Sequence, residues 1–233
     1  MRRCPLAPED RWCRPRALDN SARRWLMPVR RDLDPLALAP GLSVADLGTG
    51  VGYYLTEIGR RVGPSGRVVA VDPDAANLEI ARGRRSDAPS QFLLRSAASV
   101  PSIPTGSVDR VLLSLVLCCL VDKEGALDEA WRILKPGGLV LASYPRGGDL
   151  RRRWRSLAVT SRRWSSLLGR HPWIEHPIRR GLLLNRHLLE RAVEAGPASP
   201  EGPAPVGSPR EASADLGRTV RSRRRVDLGP GAP

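Results

Sequence analysis

Lysine is almost missing from this chain: Lys123 and Lys135 are the only two among 38 basic residues, and the other 36 are arginine. So lopsided a ratio reflects the coding bias of a GC-rich genome more than selection for a nucleic-acid surface. The net charge of +14 is also misplaced for such a surface. Residues 41–150 carry 12 basic and 12 acidic side chains, while residues 1–40 carry 9 and 5 and residues 151–194 carry 11 and 3. A neutral centre with basic flanks is not the pattern of a dedicated DNA-binding domain, which needs its charge on the folded reading surface. Cysteine is scarce as well. Cys4 and Cys13 are nine apart, Cys118 and Cys119 are adjacent, and His171 and His176 stand far from both pairs, so neither a disulfide scaffold nor a metal site is expected. The N-terminal MRRCPLAPEDRW has charge but no apolar run behind it, and the longest apolar stretch, residues 111–121, falls well short of the ~20 residues that span a bilayer. The expectation is a cytoplasmic protein with reduced thiols.

What is present is enough apolar residue, 41% of 233, for a substantial core, arranged as β-rich runs that alternate with helical patterns. Strands are predicted at residues 42–47 (LSVADL), 67–72 (RVVAVD), 91–95 (QFLLR), 110–117 (RVLLSLVL) and 138–143 (GLVLAS). Helices are predicted between them at residues 52–62, with Leu55, Ile58 and Val62 on one face, at 74–82, opened by Asp74 as N-cap, and at 123–134. Lys135-Pro136-Gly137-Gly138 reads as the turn into the fifth strand. The fold class is thus α/β, a Rossmann-like, doubly wound and mostly parallel sheet flanked by helices, with its ligand edge at the carboxyl ends of the strands. Further on, residues 151–168 read as a basic amphipathic helix, and Asn185 reads as the cap of a helix that carries Leu188, Leu189, Ala192 and Val193 and ends at Gly196. Three regions follow: a helical lid or substrate segment (1–40), the α/β domain (41–196) and a disordered tail rich in Pro, Gly and Arg (197–233).

The motif that carries chemistry is VADLGTGVGYY, a strand ending in Asp46 and then Gly48, Gly50 and Gly52 before a helix. Glycines permit a tight turn and close approach of a ligand to the backbone, and a helix start presents free N–H groups. Asp72 ends the next strand, twenty residues after Gly52, where a carboxylate can accept from ribose hydroxyls. Two cofactor classes fit that much. A dinucleotide site wants G-x-G-x-x-G; here the spacing is G-x-G-x-G, and Asp46 would repel a pyrophosphate while it suits a cationic ligand.

At these residues the chain resembles the class I S-adenosylmethionine-dependent methyltransferases, in particular the small-molecule branch typified by ubiquinone and menaquinone biosynthesis. The resemblance runs over residues 17–196 and includes ALDNSARRWL, VADLGTGVGYY, GPSGRVVAVDPD, SVPSIPTGSVDRVLLSLVL and EAWRILKPGGLVLAS. It implies S-adenosylmethionine as cofactor. Asp46, Gly48, Thr49, Gly50 and Gly52 would surround the methionine portion, and Asp72 would hold the ribose. Pro73 and Asp74 would lie beside the adenosine, Ser96 and Ala97 would face adenine, and residues 113–115, with Ser114, would close the floor. The resemblance names no catalytic residue. Base candidates at strand ends or lid are Tyr53, Tyr144, His171 and His176, and the lid would come from residues 20–28 and 154–173.

Two departures from the family pattern bear on activity. The acid that accepts from adenine is replaced by Ser96-Ala97-Ala98. The last two strands of the sheet, a sixth and a seventh joined as an antiparallel hairpin, have no convincing run after Gly196, so the sheet is expected to lack them and the domain to be marginal alone or to cover its edge as a homodimer. Asp109 is expected in a turn, and Cys118 and Cys119 on opposite faces of a strand end. The function expected is methyl transfer to a small molecule. A non-catalytic cofactor binder, a nucleic-acid methyltransferase using the basic residues 151–194, and an NAD-dependent oxidoreductase stay open beside it; membrane-surface contact would use the arginine-rich helix 151–168.

Overall fold

The computed structural model describes residues 2–3, 11–12, 19–146, 159–179 and 184–193. The chain divides into two units, Met1–Glu194 and Ala195–Pro233, and the second, with the tail read at 197–233, lies outside the described residues. Seven strands form one sheet: β1 (Ser43–Leu47), β2 (Arg67–Asp72), β3 (Ser90–Leu94), β4 (Val108–Ser114), β5 (Leu134–Pro145), β6 (Trp173–His176) and β7 (Leu184–Arg191). Their order is β3-β2-β1-β4-β5-β7-β6. The first five run parallel, and β7 runs antiparallel to both β5 and β6. The helices are α1 (Ser21–Leu26), α2 (Val29–Leu33), α3 (Leu55–Val62), α4 (Ala75–Arg82), α5 (Lys123–Ile133) and α6 (Ser161–Leu168).

Period-two alternation sorts the strand side chains into two cores. Val44, Val68, Ala70, Leu112, Leu141 and Leu188 pack with Leu33, Leu36, Leu55 and Ile58 on one face. Ala45, Val69, Val111, Val140 and Leu189 pack with Leu127, Ile133, Trp164 and Leu167 on the other. Both faces of the central strands β1, β2 and β4 are covered, so those strands are predominantly apolar, as parallel sheets require.

This sheet is complete, which overturns the expectation that its last two strands are missing. The segment read as a helix capped by Asn185 is β7. The physical reason is its central place between β5 and β6. Leu188 feeds one core and Leu189 the other, and a short apolar run buried on both faces has the same periodicity signal as a buried helix. The argument that an open sheet edge requires a homodimer falls with it. In the segment read as one helix over 151–168, residues 161–168 are helical, capped by Thr160, with Trp164 and Leu167 buried; 151–158 lie outside the described residues.

Two smaller corrections concern β4 and β5. The strand read to residue 117 stops at Ser114, because Leu115 takes a left-handed φ of 59° that breaks the extended chain. The Lys135-Pro136-Gly137-Gly138 turn is absorbed into β5 as a bulge: Val108 faces Leu134 while Arg110 faces Leu139. Asp109 is a strand residue and not a turn residue. Its carboxylate accepts from Ser43 N (2.8 Å) and Lys135 Nζ (2.8 Å), pinning the starts of β1 and β5 to β4.

Candidate functional site

The carboxyl ends of β1 and β2 are joined by the glycine turn. Gly48 N and Thr49 N both donate to Val71 O, at 2.7 and 2.8 Å, and Gly50 N donates to Asp72 Oδ2 at 2.8 Å. Gly48 has φ 81°, and a Cβ placed on it would lie 2.3 Å from Val116 Cγ2, so both backbone conformation and space demand glycine. At Gly52, with φ 72°, a Cβ would press on Leu55 and on the backbone of Ala81.

Two buried carboxylates flank this turn. Asp46 accepts from Thr49 Oγ1 at 2.7 Å. Burial pushes its pKa up to about 7 and the nearby Asp72 charge adds to the rise, against the Thr49 hydrogen bond and the field of Arg23. Asp72 accepts from Gly50 N on Oδ2, and from Asp74 N (3.0 Å) and Asn77 Nδ2 (3.1 Å) on Oδ1. Its pKa is also raised by burial, with those three hydrogen bonds opposing. Of the roughly four acceptor positions of a carboxylate, about one is left, on Oδ2. Pro73 separates Asp72 from Asp74, and Asp74 caps α4 by accepting from Ala76 N at 2.9 Å. Beyond β3, Arg95 N donates to Asp72 O (3.2 Å), so Ser96 and Ala97 follow directly beside the second acid; Ser96 Oγ accepts from Ala98 N, and Ala97 is buried in the core.

Ser114, at the end of β4, belongs to a different polar group. Ser143 Oγ donates to Ser114 Oγ (3.1 Å), Ser114 Oγ to Tyr54 Oη (3.2 Å), and Tyr54 Oη to Asp32 Oδ2 (3.0 Å). Arg186 donates to Asp32 O at 2.7 Å. With Leu112, Leu141 and Leu184 these residues line a small crevice at the carboxyl edge. Burial raises the Asp32 and Tyr54 pKa values, and Arg186 opposes the rise at Asp32. Asp32, Tyr54, Ser143 and Arg186 were not singled out by the sequence; only the tyrosine pair after the glycine turn offered a signal, and Asp32 and Arg186 lie 154 residues apart.

The N-terminal segment is tied onto the glycine turn. Asn20 caps α1 by accepting from Arg23 N (2.9 Å), the Arg23 guanidinium lies 4.1 Å from the Tyr53 ring centroid, and Tyr53 Oη donates to Met27 O (2.8 Å). Arg84 bridges Val51 O (3.0 Å) and Asp19 (2.6 Å). Hydrogen bonds from Arg24 and Arg84 hold the Asp19 pKa down at about 2, against partial burial.

The four base candidates are dispersed. Tyr53 is bound to Met27 O. His171 pairs with Asp128 (2.8 Å) and stacks on Trp131, and His176 pairs with Glu190 (2.6 Å) within the β6/β7 hairpin. Tyr144 Oη lies 3.0 Å from His187 Nε2, His187 Nδ1 lies 2.5 Å from Glu175, and burial lifts the Tyr144 pKa to about 12. His187, absent from the sequence-based candidates, thus links Tyr144 to a carboxylate, and the Trp164 ring packs 4.1 Å from it, centroid to centroid. Among the described residues no three His, Cys, Asp or Glu side chains assemble as a metal site, and no helix is long and apolar enough to cross a membrane.

The geometry can be set beside known proteins. Residues 45–142 match the model of the methyltransferase domain family. A ubiquinone/menaquinone biosynthesis C-methyltransferase of Hahella chejuensis is 34% identical over 116 residues, covering 48% of this chain and 46% of that protein. An arsenite methyltransferase of Halobacterium salinarum is 34% identical over 110 residues, covering 46% and 28%. The chain thus spans less than half the length of these curated relatives. In structure, an S-adenosylmethionine-dependent methyltransferase from Aquifex aeolicus superposes with a TM-score of 0.65 at 20% identity, over 77% of this chain and 99% of that one, which is a likeness of fold. Residues 45–142 thus carry the match to the methyltransferase domain family, and the strand order and the glycine turn between two acids accord with that match.

Proposed function

We propose that this chain transfers a methyl group from S-adenosylmethionine to a small-molecule acceptor. The observation that carries the reading is the pair of buried carboxylates, Asp46 and Asp72, on either side of the glycine turn. A ligand with an ammonium and a sulfonium fits that pair, because it supplies the positive charge that burial withholds from Asp46. The three glycines leave the turn without side chains at the approach to the backbone. Asp46, Gly48, Thr49, Gly50 and Gly52 would hold the methionine portion, Asp72 and Pro73 the adenosine, and Ser96 and Ala97 the adenine. Asp72 has about one acceptor position left, so a ribose diol that takes two must draw Gly50 N–H away from Oδ2. When bound, the cofactor supplies an electrophilic methyl on a sulfonium; the protein's part is to orient the reactants and exclude water. For that part the N-terminal segment held over Tyr53 and Val51 is the cover. The crevice of Ser114, Tyr54, Asp32, Ser143 and Arg186 is the polar wall available to an acceptor.

A cofactor binder without turnover, the second reading, now rests on Ser96 alone, since the sheet has all seven strands. Cytoplasmic location, a homodimer and contact of the arginine-rich residues 151–168 with a membrane surface are proposals tested by cell fractionation, sedimentation and vesicle flotation, as is the division into 1–40, 41–196 and 197–233 by limited proteolysis. The functional reading itself is tested by thermal melting with S-adenosylmethionine, S-adenosylhomocysteine or NAD. At ~100 times Kd a specific ligand adds about 2.7 kcal/mol and raises the midpoint by about 5–11 °C. The expected result is a rise with the first two and none with NAD. A cooperative melt that none of the three shifts would overturn the reading.

A further inference from the structure

Arg84 lies two residues past the end of α4, and its backbone is fixed there, Arg84 N donating to the carbonyl of the buried Ala81 at 3.0 Å. From that anchor the side chain reaches two distant parts of the chain. Nε donates to Val51 O, inside the glycine turn, at 3.0 Å, and Nη2 donates to Asp19 Oδ2, at the start of the N-terminal segment, at 2.6 Å. The stem packs on the turn as well: a Cβ on Gly52 would lie 3.0 Å from Arg84 Cγ. Asp19 in turn accepts from Arg24 Nε (2.9 Å) and Nη2 (3.1 Å) on α1. With six residues α1 is too short to hold its shape without such ties.

The bond to Val51 acts on the shape of the turn. Val51 C=O and Gly52 N–H belong to one trans peptide and point in opposite directions. Arg84 holds the carbonyl, and the N–H donates to Thr49 O at 3.0 Å. The peptide is thus gripped at both ends, and it closes the same turn whose Thr49 hydroxyl is bonded to Asp46 at 2.7 Å. A guanidinium suits this place. Its planar fork presents donors in several fixed directions, so one rigid group serves a backbone carbonyl and a carboxylate at once, which an ammonium on a flexible stem does not.

We propose that Arg84 is a positioning residue that couples the N-terminal segment to the glycine turn, latching Asp19 with one arm of its fork and holding the 51–52 peptide with the other. A ligand seated on the turn fixes its peptides, Val51 C=O among them; that carbonyl steadies Arg84, and Arg84 steadies residues 19–27 through Asp19. That the ligand is the methyl donor rests on the methyltransferase reading above; the latch does not.

The test is hydrogen exchange of the full chain, read by mass spectrometry over residues 19–27, whose Arg23, Arg24 and Met27 amides are bonded within the segment, with residues 108–114 of β4 as internal reference. Arg84→Gln cuts the link at its centre, and Asp19→Asn cuts it from the segment's side without touching the turn. Without ligand, each variant should exchange 19–27 about ten-fold faster than the parent, the effect of one charge-assisted hydrogen bond, while 108–114 keeps the parent's rate. Saturating S-adenosylhomocysteine should slow 19–27 about ten-fold in the parent and leave it unchanged in both variants, although their melting midpoints still rise with it. Equal ligand-free exchange of 19–27 in parent and variants, or a matching rise in 108–114, would overturn the latch. Undiminished protection by the ligand in Arg84→Gln would overturn the coupling. The methyltransferase reading fails separately: a parent melt that S-adenosylhomocysteine does not shift removes that reading, and the ligand-free comparison still decides the latch.

Discussion

Gly48 is the residue on which the glycine turn depends, since Val116 occupies the space where any side chain would go. Gly48→Ala should cost about 1–3 kcal/mol from overpacking and more from its φ of 81°, read as a lowered urea midpoint. Adding Val116→Ala should return the overpacking part and leave the backbone part. Asp46 gives a second prediction, in pH. Its folded pKa of about 7 exceeds the unfolded value near 3.9, so the folded state holds a proton that the unfolded chain has released. This contribution to stability is complete below about pH 4 and is lost as pH rises through 7. Asp46→Asn, which cannot ionise, should therefore melt above the parent by a margin that widens from pH 5 to 7.5 and then levels off. A margin independent of pH would contradict the assignment of that titration to Asp46.

Among the elements, β7 is the one whose role the structure changes most. Leu189 is fully buried in the core shared with α5 and α6, and Leu189→Ala should destabilise the domain by about 2–4 kcal/mol in equilibrium denaturation. A surface helix in that place would lose far less. The contrast shows what sequence could convey. β2 was legible to the residue, because RVVAVD is a β-branched run between turn signals, and the Asp74 cap of α4 was legible because capping is local. β7 was not, because burial on two faces erases alternation. The glycine turn and both acids were likewise legible, being contiguous with their strands. The string from Ser143 through Tyr54 to Arg186 was hidden, since it is assembled across the sheet from five separate segments and no spacing along the chain encodes it. Cys118 and Cys119, expected on opposite faces of a strand end, instead have their sulfurs 3.8 Å apart, which depends on one left-handed residue, Leu115, whose type gives no hint of that conformation.

For the whole molecule, the complete sheet turns a domain expected to be marginal into one with two closed cores, and it leaves the glycine turn between β1 and β2, the proposed cofactor site, supported from both faces. The central claim is that Asp46 and Asp72 make that site. Calorimetric titration of S-adenosylmethionine into the full chain and into Asp46→Asn and Asp72→Asn tests it most directly. Losing a hydrogen bond to a charged group costs about 1.5–3 kcal/mol, so each variant should bind about 10–150-fold more weakly than the parent, which should bind one equivalent per chain. Parent and variants binding with equal affinity would contradict the account.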